Sequence, residues 1–409
     1  MTDFISVEKV YGILEDAITP IARTERLALS ETLGTVLAEP LHAPSDVPPF
    51  NNSAMDGFAF SSALLSSRGM VRLEVEGVSY AGAPFAGEHS PDKALRVMTG
   101  ASVPPEADTV IPFEHVREFS EDARTWIEFP FDEVKPRANL RLQGEEMKAG
   151  DVVMAPGLVL TPAWIGMAAS LGHADLLVRR IRAAVFSTGD ELAAPGTPGP
   201  LEAGRIYNSN SPLISAMLSS WGVEAEDLGI LPDNPDAIRK ALLELTDKVD
   251  FIVTSGGVGE GDHDYTSQIL EELGGGVTHH HVRQRPGKPF SFGRLGADGP
   301  WFMALPGNPV AAAMSARLYL LRAVMLAAGT AAPASELPAE ARTRVKGRTG
   351  RTDFVRGRLE TENGRLIFTP AKNQGSAMLS TLAGMNAAAV LPEDAASAEP
   401  GDLVRCLML

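Results

Sequence analysis

At 409 residues the chain is long enough for about two to four domains, and its 44% hydrophobic content supplies sizeable cores. A formal charge of −16 excludes a general nucleic-acid or membrane-surface binder, either of which needs a basic face. One cysteine, Cys406, excludes a disulfide framework and a cysteine-ligated zinc site, and points to a reducing cytoplasm.

The first residues, Met1-Thr-Asp-Phe-Ile-Ser6, lack the basic start and apolar core of a signal peptide. Ser6 reads as a helix cap, with Val7, Val10, Leu14 and Ile18 on one face and Pro20 beyond. Residues 44–57 are rich in Pro, Asn and Ser and read as an ordered loop. Short alternating runs at 71–76, 95–99, 109–112 and 126–129, divided by Pro and Gly turns, predict a small β-rich domain. Thr161-Pro162 starts a helix that Gly172 ends.

From residue 181 the rhythm becomes strand, loop, helix. Apolar runs at 183–186, 225–231, 251–254 and 301–305 each precede a polar or glycine-rich loop and then a helix. Ser211-Pro212 and Asn234-Pro235 read as helix starts. Such alternation predicts βα units on a parallel sheet, with all four loops at its carboxyl edge, where doubly wound folds bind ligands. The last helix, 310–328, is the most apolar segment, but Arg317 and Arg322 make it a poor membrane span. Residues 333–338 read as a linker, and 331–409 as a small separate β domain.

The loop after 251–254 carries the most chemistry. Ser255, Gly256 and Gly257 let the backbone approach a ligand, and Asp262 and Asp264 follow where a helix should begin. A glycine turn with two acids suits an anion that arrives with a metal. In Thr188-Gly-Asp-Glu-Leu192, Asp190 and Glu191 can hold Mg²⁺, although helix capping accounts for either carboxylate taken alone. Asp233 has the same two readings. Counter-charge comes from 279–288, which contains no acid: Arg283, Arg285 and Lys288 can hold an oxyanion. Its three histidines alternate in a strand and cannot all face one metal, so they read as packing or solvated groups. Seven Lys/Arg between 341 and 358 form either a solvated β surface or a binding face. Gln374-Gly-Ser376 can add a hydroxyl and backbone donors, or be a plain turn.

Together the motifs resemble the molybdopterin molybdenumtransferases, the MoeA proteins and the gephyrin E domain. The resemblance rests on Pro48-Pro-Phe-Asn-Asn-Ser-Ala-Met-Asp-Gly57, Met98-Thr-Gly-Ala101, Thr188-Gly-Asp-Glu-Leu192, Ser255-Gly-Gly-Val258, Asp262-His-Asp-Tyr265, Pro286-Gly-Lys-Pro289, Leu305-Pro-Gly-Asn-Pro309 and Asn373-Gln-Gly-Ser376, in the family's order. It implies an α/β multidomain homodimer. Residues 1–177 would form an N-terminal helical and β-rich arm (β-rich over about 45–142), 178–329 a doubly wound molybdopterin-binding domain, and 331–409 a C-terminal β-barrel. The implied reaction is Mg²⁺-dependent insertion of molybdate into adenylylated molybdopterin, releasing AMP.

The resemblance also implies roles. Asp190, Glu191, Asp233 and Asp264 would surround the pterin phosphate and metal, with Asp262 beside them. Asp56 and Thr99 would act across the dimer interface, and Pro306 and Pro309 would form a rigid loop over the ligand. Arg285, Lys288, Arg351 and Ser376 would hold molybdate. A molybdopterin adenylyltransferase is an expected contact. Two departures stand out: Gly259-Glu260 where the family has a hydroxyl, and Glu146 where it has Asp. The competing readings are an adenylyltransferase, disfavoured by the segments flanking 178–329, and a non-catalytic pterin scaffold, disfavoured because no long linker joins a further domain.

Overall fold

Helix α1 (Val7–Ala17) begins where Ser6 Oγ accepts the Lys9 N–H at 3.2 Å, as its sequence predicts. It buries Val7, Val10 and Leu14 on one face, each side chain contributing about 1.5–3 kcal/mol of apolar burial. This computed structural model describes residues 4–65, 68–256, 265–332 and 336–409. They divide into two compact units, one of Met1–Glu39, Pro156–Ala169 and His173–Leu409, the other of Pro40–Ala155 with Ser170–Gly172.

The larger unit is built on a seven-stranded sheet. Its strands are β1 (Phe4–Ile5), β2 (Arg182–Thr188), β3 (Glu224–Leu231), β4 (Phe251–Ser255), β5 (Gly276–Val282), β6 (Pro289–Arg294) and β7 (Trp301–Leu305), in spatial order β1-β5-β6-β7-β4-β2-β3. Side chains alternate between two cores. Ala183, Val185, Phe251, Val253 and Met303 face α1, α2 (Asn210–Ser220) and the long helix α5 (Pro309–Ala328). Ala184, Phe186, Ile252 and Phe302 face α3 (Pro235–Leu245) and α4 (Tyr265–Glu272). Helices on both faces make the sheet doubly wound, and burial on both faces explains why its strands read as continuous apolar runs.

One strand departs from the expected parallel sheet. β6 runs antiparallel to both neighbours. Residues 283–288 hold no helical crossover: Gln284–Arg285 pairs with Thr352 and Asp353 and the chain turns over 286–288, so it must reverse. The other strands keep one direction, and β2, β4 and β7 end level: Ser187 pairs with Ser255, and Ser255 with Leu305. The four expected loops therefore lie along one edge, and the 283–288 turn joins them there.

Helix α5 is long and apolar enough to cross a membrane, yet 83% of that window is buried in the protein, where it is the core helix. Arg322 on it pairs with Glu15 and lies 4.0 Å over the Tyr11 ring.

Within the same unit, five strands close into a barrel: Thr352–Glu362, Arg365–Pro370, Glu336–Ala341, Leu403–Met408 and Ala387–Leu391, the last pairing back with the first. Cys406, Phe368 and Val345 lie in its core. Glu336, Leu337 and Pro338, read as linker, instead pair with Leu407, Cys406 and Arg405. The composition there is linker-like because Glu336 and Leu337 are exposed on the barrel's outside.

The second unit carries a six-stranded sheet containing the four predicted runs, with Gly57–Phe60 and Arg117–Glu121 added. Phe58, Phe60, Ile127 and Phe129 fill one side of it.

Candidate active site

Two buried asparagines tie the strand ends together. Asn208 Oδ1 accepts the Ser187 hydroxyl at 3.0 Å and the N–H groups of Asn210 and Ser211, so it caps α2 where Ser211-Pro212 was expected to. Asn210 Nδ2 donates to Ser255 Oγ and to Gly307 O, both at 2.7 Å. Ser255 Oγ in turn donates to Pro306 O at 3.1 Å. One chain of hydrogen bonds thus joins the ends of β2, β4 and β7, as buried polar groups require. Neither asparagine stood out in the sequence; the signal was the polar cluster Asn208-Ser-Asn-Ser211 just before an apolar helix. Gly256 closes the same junction. Its φ is +86°, and a Cβ there would lie 2.8 Å from Thr188 O, so the close approach is to the neighbouring strand end.

Two acceptors at this edge are left over. Among the described residues, Thr188 Oγ1 and Asn210 Oδ1 are buried without a partner. Asn210 cannot turn its amide round, because Gly307 O needs a donor and only the amide nitrogen supplies one. Asp190, Glu191 and Asp233 are exposed around them. Helix capping does not occupy these acids. No helix follows Asp190 and Glu191, and Asn234 caps α3 by accepting from Asp236 and Ala237. Gly257, Asp262 and Asp264 lie outside the described residues.

The donor set fits Mg²⁺, a hard cation that takes oxygen ligands. Among the described residues no three His, Cys, Asp or Glu side chains converge to cage a metal. Mg²⁺ ordinarily uses one or two carboxylates together with water and substrate phosphate, so this open arrangement suits it better than a closed cage would. The histidines of β5 each have their own neighbour: Ser291 for His279, Phe290 for His280 and Phe4 for His281.

At the 283–288 turn, along the same sheet edge, opens a cavity of about 670 Å³ lined with cations; Asp190, Glu191 and Asp233 do not line it. It brings together five predicted residues, Arg285, Lys288, Pro306, Arg351 and Ser376, with Pro309 one position beyond the lining Asn308. Gly307, Asn308 and Ala311 bring the N-terminal end of α5 to the cavity, where Val310 N–H donates to Ser376 O at 3.1 Å and the positive end of the helix dipole favours an anion.

The cations are not equivalent. Arg283 is committed to Glu393 at 2.9 Å and to Phe4 O. Arg351 is committed to buried Asp353 at 3.2 Å. Arg285 and Lys288 are exposed and have no carboxylate partner among the described residues; Lys288 Nζ lies 4.8 Å from the Phe4 ring centre.

The sequence reading missed Arg356. It is fully buried (0% exposed) on a barrel strand and bonds Thr381 Oγ1 at 3.2 Å and Gly375 O at 3.1 Å. Its Nη1 has no partner, and burial, then the charge of Arg285, pull its pKa down. An unneutralised buried guanidinium is costly, and an oxyanion would remove that cost. The available signal was a cation inside the apolar run Phe354-Val-Arg-Gly357.

In the second unit, Asp56 Oδ1 accepts both the N–H and the O–H of Thr99, each at 2.7 Å. These bonds hold the Asp56 carboxyl below the usual carboxylate range. Phe50 and Met55, each 44% exposed, lie on the same loop.

Comparison with known proteins matches this architecture. Residues 5–172 fit the MoeA N-terminal region (domains I and II), 184–325 a probable molybdopterin binding domain, and 338–409 the MoeA C-terminal region (domain IV). The molybdopterin molybdenumtransferase of Haemophilus influenzae is 37% identical over 93% of each chain. That of Bacillus subtilis is 32% identical over 94% of this chain and 90% of its own. The molybdopterin biosynthesis MoeA protein of Pyrococcus horikoshii OT3 superposes with a TM-score of 0.80 at 26% identity, each chain covered completely. The chain belongs to the molybdopterin molybdenumtransferase family, the MoeA proteins.

Proposed function

We propose that this protein inserts molybdate into adenylylated molybdopterin and releases AMP. The observation that carries the reading is opposite charge at the carboxyl edge of one sheet: exposed Asp190, Glu191 and Asp233 after β2 and β3, and Arg285 and Lys288, without carboxylate partners among the described residues, in the cavity at the 283–288 turn.

Breaking the phosphoanhydride requires charge neutralised on phosphate oxygens and a nucleophile held in place. Asp190 and Glu191, with Asp233, Asp262 and Asp264, would hold Mg²⁺. When bound, that ion neutralises the phosphate oxygens. Arg285 and Lys288, helped by Ser376 and the amino end of α5, hold molybdate, with Arg356 adding its charge from the small pocket behind Arg285. A molybdate oxygen attacks the pterin-side phosphorus, the bridging P–O bond breaks, and AMP leaves with the bridging oxygen and its electron pair; the molybdenum then passes to the two pterin sulfurs, its displaced oxygens leaving as water as the P–O–Mo link is hydrolysed. Pro306 and Pro309 keep the loop rigid at the cavity mouth. No covalent intermediate on the enzyme is needed.

We also read the chain as a cytoplasmic homodimer in which Asp56 and Thr99 serve the partner's site. Exposed Phe50 and Met55 beside Asp56, and the single buried Cys406, support this. Direct hand-over from a molybdopterin adenylyltransferase completes the proposal, as does the division at 1–177, 178–329 and 331–409.

The test mixes protein, adenylylated molybdopterin, molybdate and Mg²⁺ and follows AMP and active cofactor. AMP release that needs both molybdate and Mg²⁺ is expected. Tight pterin binding without AMP release would leave a carrier, and synthesis of the adenylylated pterin from ATP would leave an adenylyltransferase.

A further inference from the structure

The turn that carries Arg285 and Lys288 is anchored where Gln284 and Arg285 pair with Thr352 and Asp353, and it is braced from behind by a buried side chain. Gln284 Nε2 donates to Pro286 O at 3.0 Å and to Gly287 O at 2.8 Å. Its Oε1 accepts the Tyr319 O–H. The amide can sit only this way round, because carbonyls accept and the phenol donates. Both side chains are buried, and burial keeps the Tyr319 proton in place by pushing the phenol's pKa up.

Two further features converge on this pair. Tyr319 lies in a π-helical turn, Ala316–Leu320, that interrupts the α-helical hydrogen bonding of α5. Such turns re-aim side chains and recur at functional sites. Its ring is fixed by Phe290 at 4.8 Å and Tyr11 at 6.0 Å. Gly287, at φ +91°, is pressed so close that a Cβ would lie 2.6 Å from Ser315 Oγ and 2.7 Å from Gln284 Nε2. The turn, the amide and the helix therefore pack as one piece.

We propose that Gln284, oriented by Tyr319, is a positioning residue that sets the spacing of Arg285 and Lys288 for a tetrahedral oxyanion. The proposal rests on the reading of the cavity as the molybdate site. Two cations on exposed side chains bind weakly unless their backbone is fixed, because ordering them opposes binding. Removing the amide leaves two buried carbonyls unsatisfied, and the turn relaxes to find water.

The test uses the full chain, Gln284→Met, Tyr319→Phe and the double variant. Molybdate binding is measured by equilibrium dialysis, and AMP release as a function of molybdate and of pterin. Gln284→Met should raise the Kd and KM for molybdate about tenfold, the scale of losing a supporting hydrogen-bond partner, with kcat at saturating molybdate and the pterin KM within about twofold. Tyr319→Phe should shift molybdate in the same direction by less. The double variant should match Gln284→Met, since both act through one amide. Should Gln284→Met not fold, Tyr319→Phe decides alone. Unchanged molybdate constants in the folded variants, or an equal rise in the pterin KM, overturns the inference while leaving the function intact. A wild-type protein that neither binds molybdate nor releases AMP overturns the function and this inference with it.

Discussion

A single oxygen of Asp56 receives both hydrogen bonds that Thr99 can donate, from its backbone and from its hydroxyl. The two residues are 43 positions apart in sequence, and the contact turns two separate motifs into one unit. Because the folded pKa of Asp56 is depressed, its contribution to stability is present above the unfolded carboxylate value and is lost as pH falls through the folded one. Thr99→Ala should move the Asp56 titration back up toward the ordinary value, read by carbon NMR of the carboxyl. Thr99→Ser should retain the depressed value. The backbone N–H bond, the larger cause, survives in Thr99→Ala, so an unshifted Asp56 there would remove the hydroxyl from the causes.

Arg356→Met should separate stability from binding. The variant loses hydrogen bonds to Thr381 and Gly375 but also loses a buried charge without a counter-ion, two effects that roughly cancel. Its melting temperature should therefore stay within a few degrees of wild type, while molybdate affinity falls by about tenfold or more, the worth of a charged hydrogen bond. A large drop in melting temperature with unchanged molybdate binding would make Arg356 purely structural.

Arg285 and Arg351 should behave in opposite ways. Arg285→Ala removes an exposed, unpaired cation, so it should raise the molybdate requirement and leave unfolding unchanged. Arg351→Ala strands Asp353, which is nearly buried and still accepts the Arg348 N–H at 2.7 Å. It should destabilise by about 1–3 kcal/mol with a smaller effect on molybdate. Denaturant unfolding and molybdate titration on both variants check the contrast; identical profiles would contradict it.

Gly256→Ala should destabilise by about 1–2 kcal/mol from its left-handed φ alone, with the contact to Thr188 O added. Asn210→Leu should cost about 1–3 kcal/mol for the buried Ser255 acceptor it abandons, and less for the exposed Gly307 carbonyl. Urea midpoints with an unchanged slope are the measurement. If either variant is as stable as wild type, the strand-end junction is looser than described.

Much of the site was readable because its signals are local. The glycine turn at Ser255-Gly256, the cap at Asn234, the proline-framed Arg285 and Lys288 and the turn at Ser376 announce themselves within a few residues. Arg351 and Arg356 show the limit. They lie five positions apart in one basic run, and only the fold reveals that the first is paired while the second is buried with a bare Nη1. Gln284 was equally silent, since a glutamine beside two arginines reads as surface.

The amino-acid order alone thus determined the alternation of strands and helices, their caps, the shared edge of the loops and the family resemblance, because periodicity, capping and turn chemistry act over a few residues. The tertiary structure decided which charges are neutralised, which polar atoms are left over and which amide holds the anion turn. Those depend on partners distant in the chain, such as Glu393 for Arg283, 110 positions away, and Gly307 for Asn210, 97 positions away. Charge pairing and desolvation are properties of neighbours in space, and sequence spacing carries no record of them.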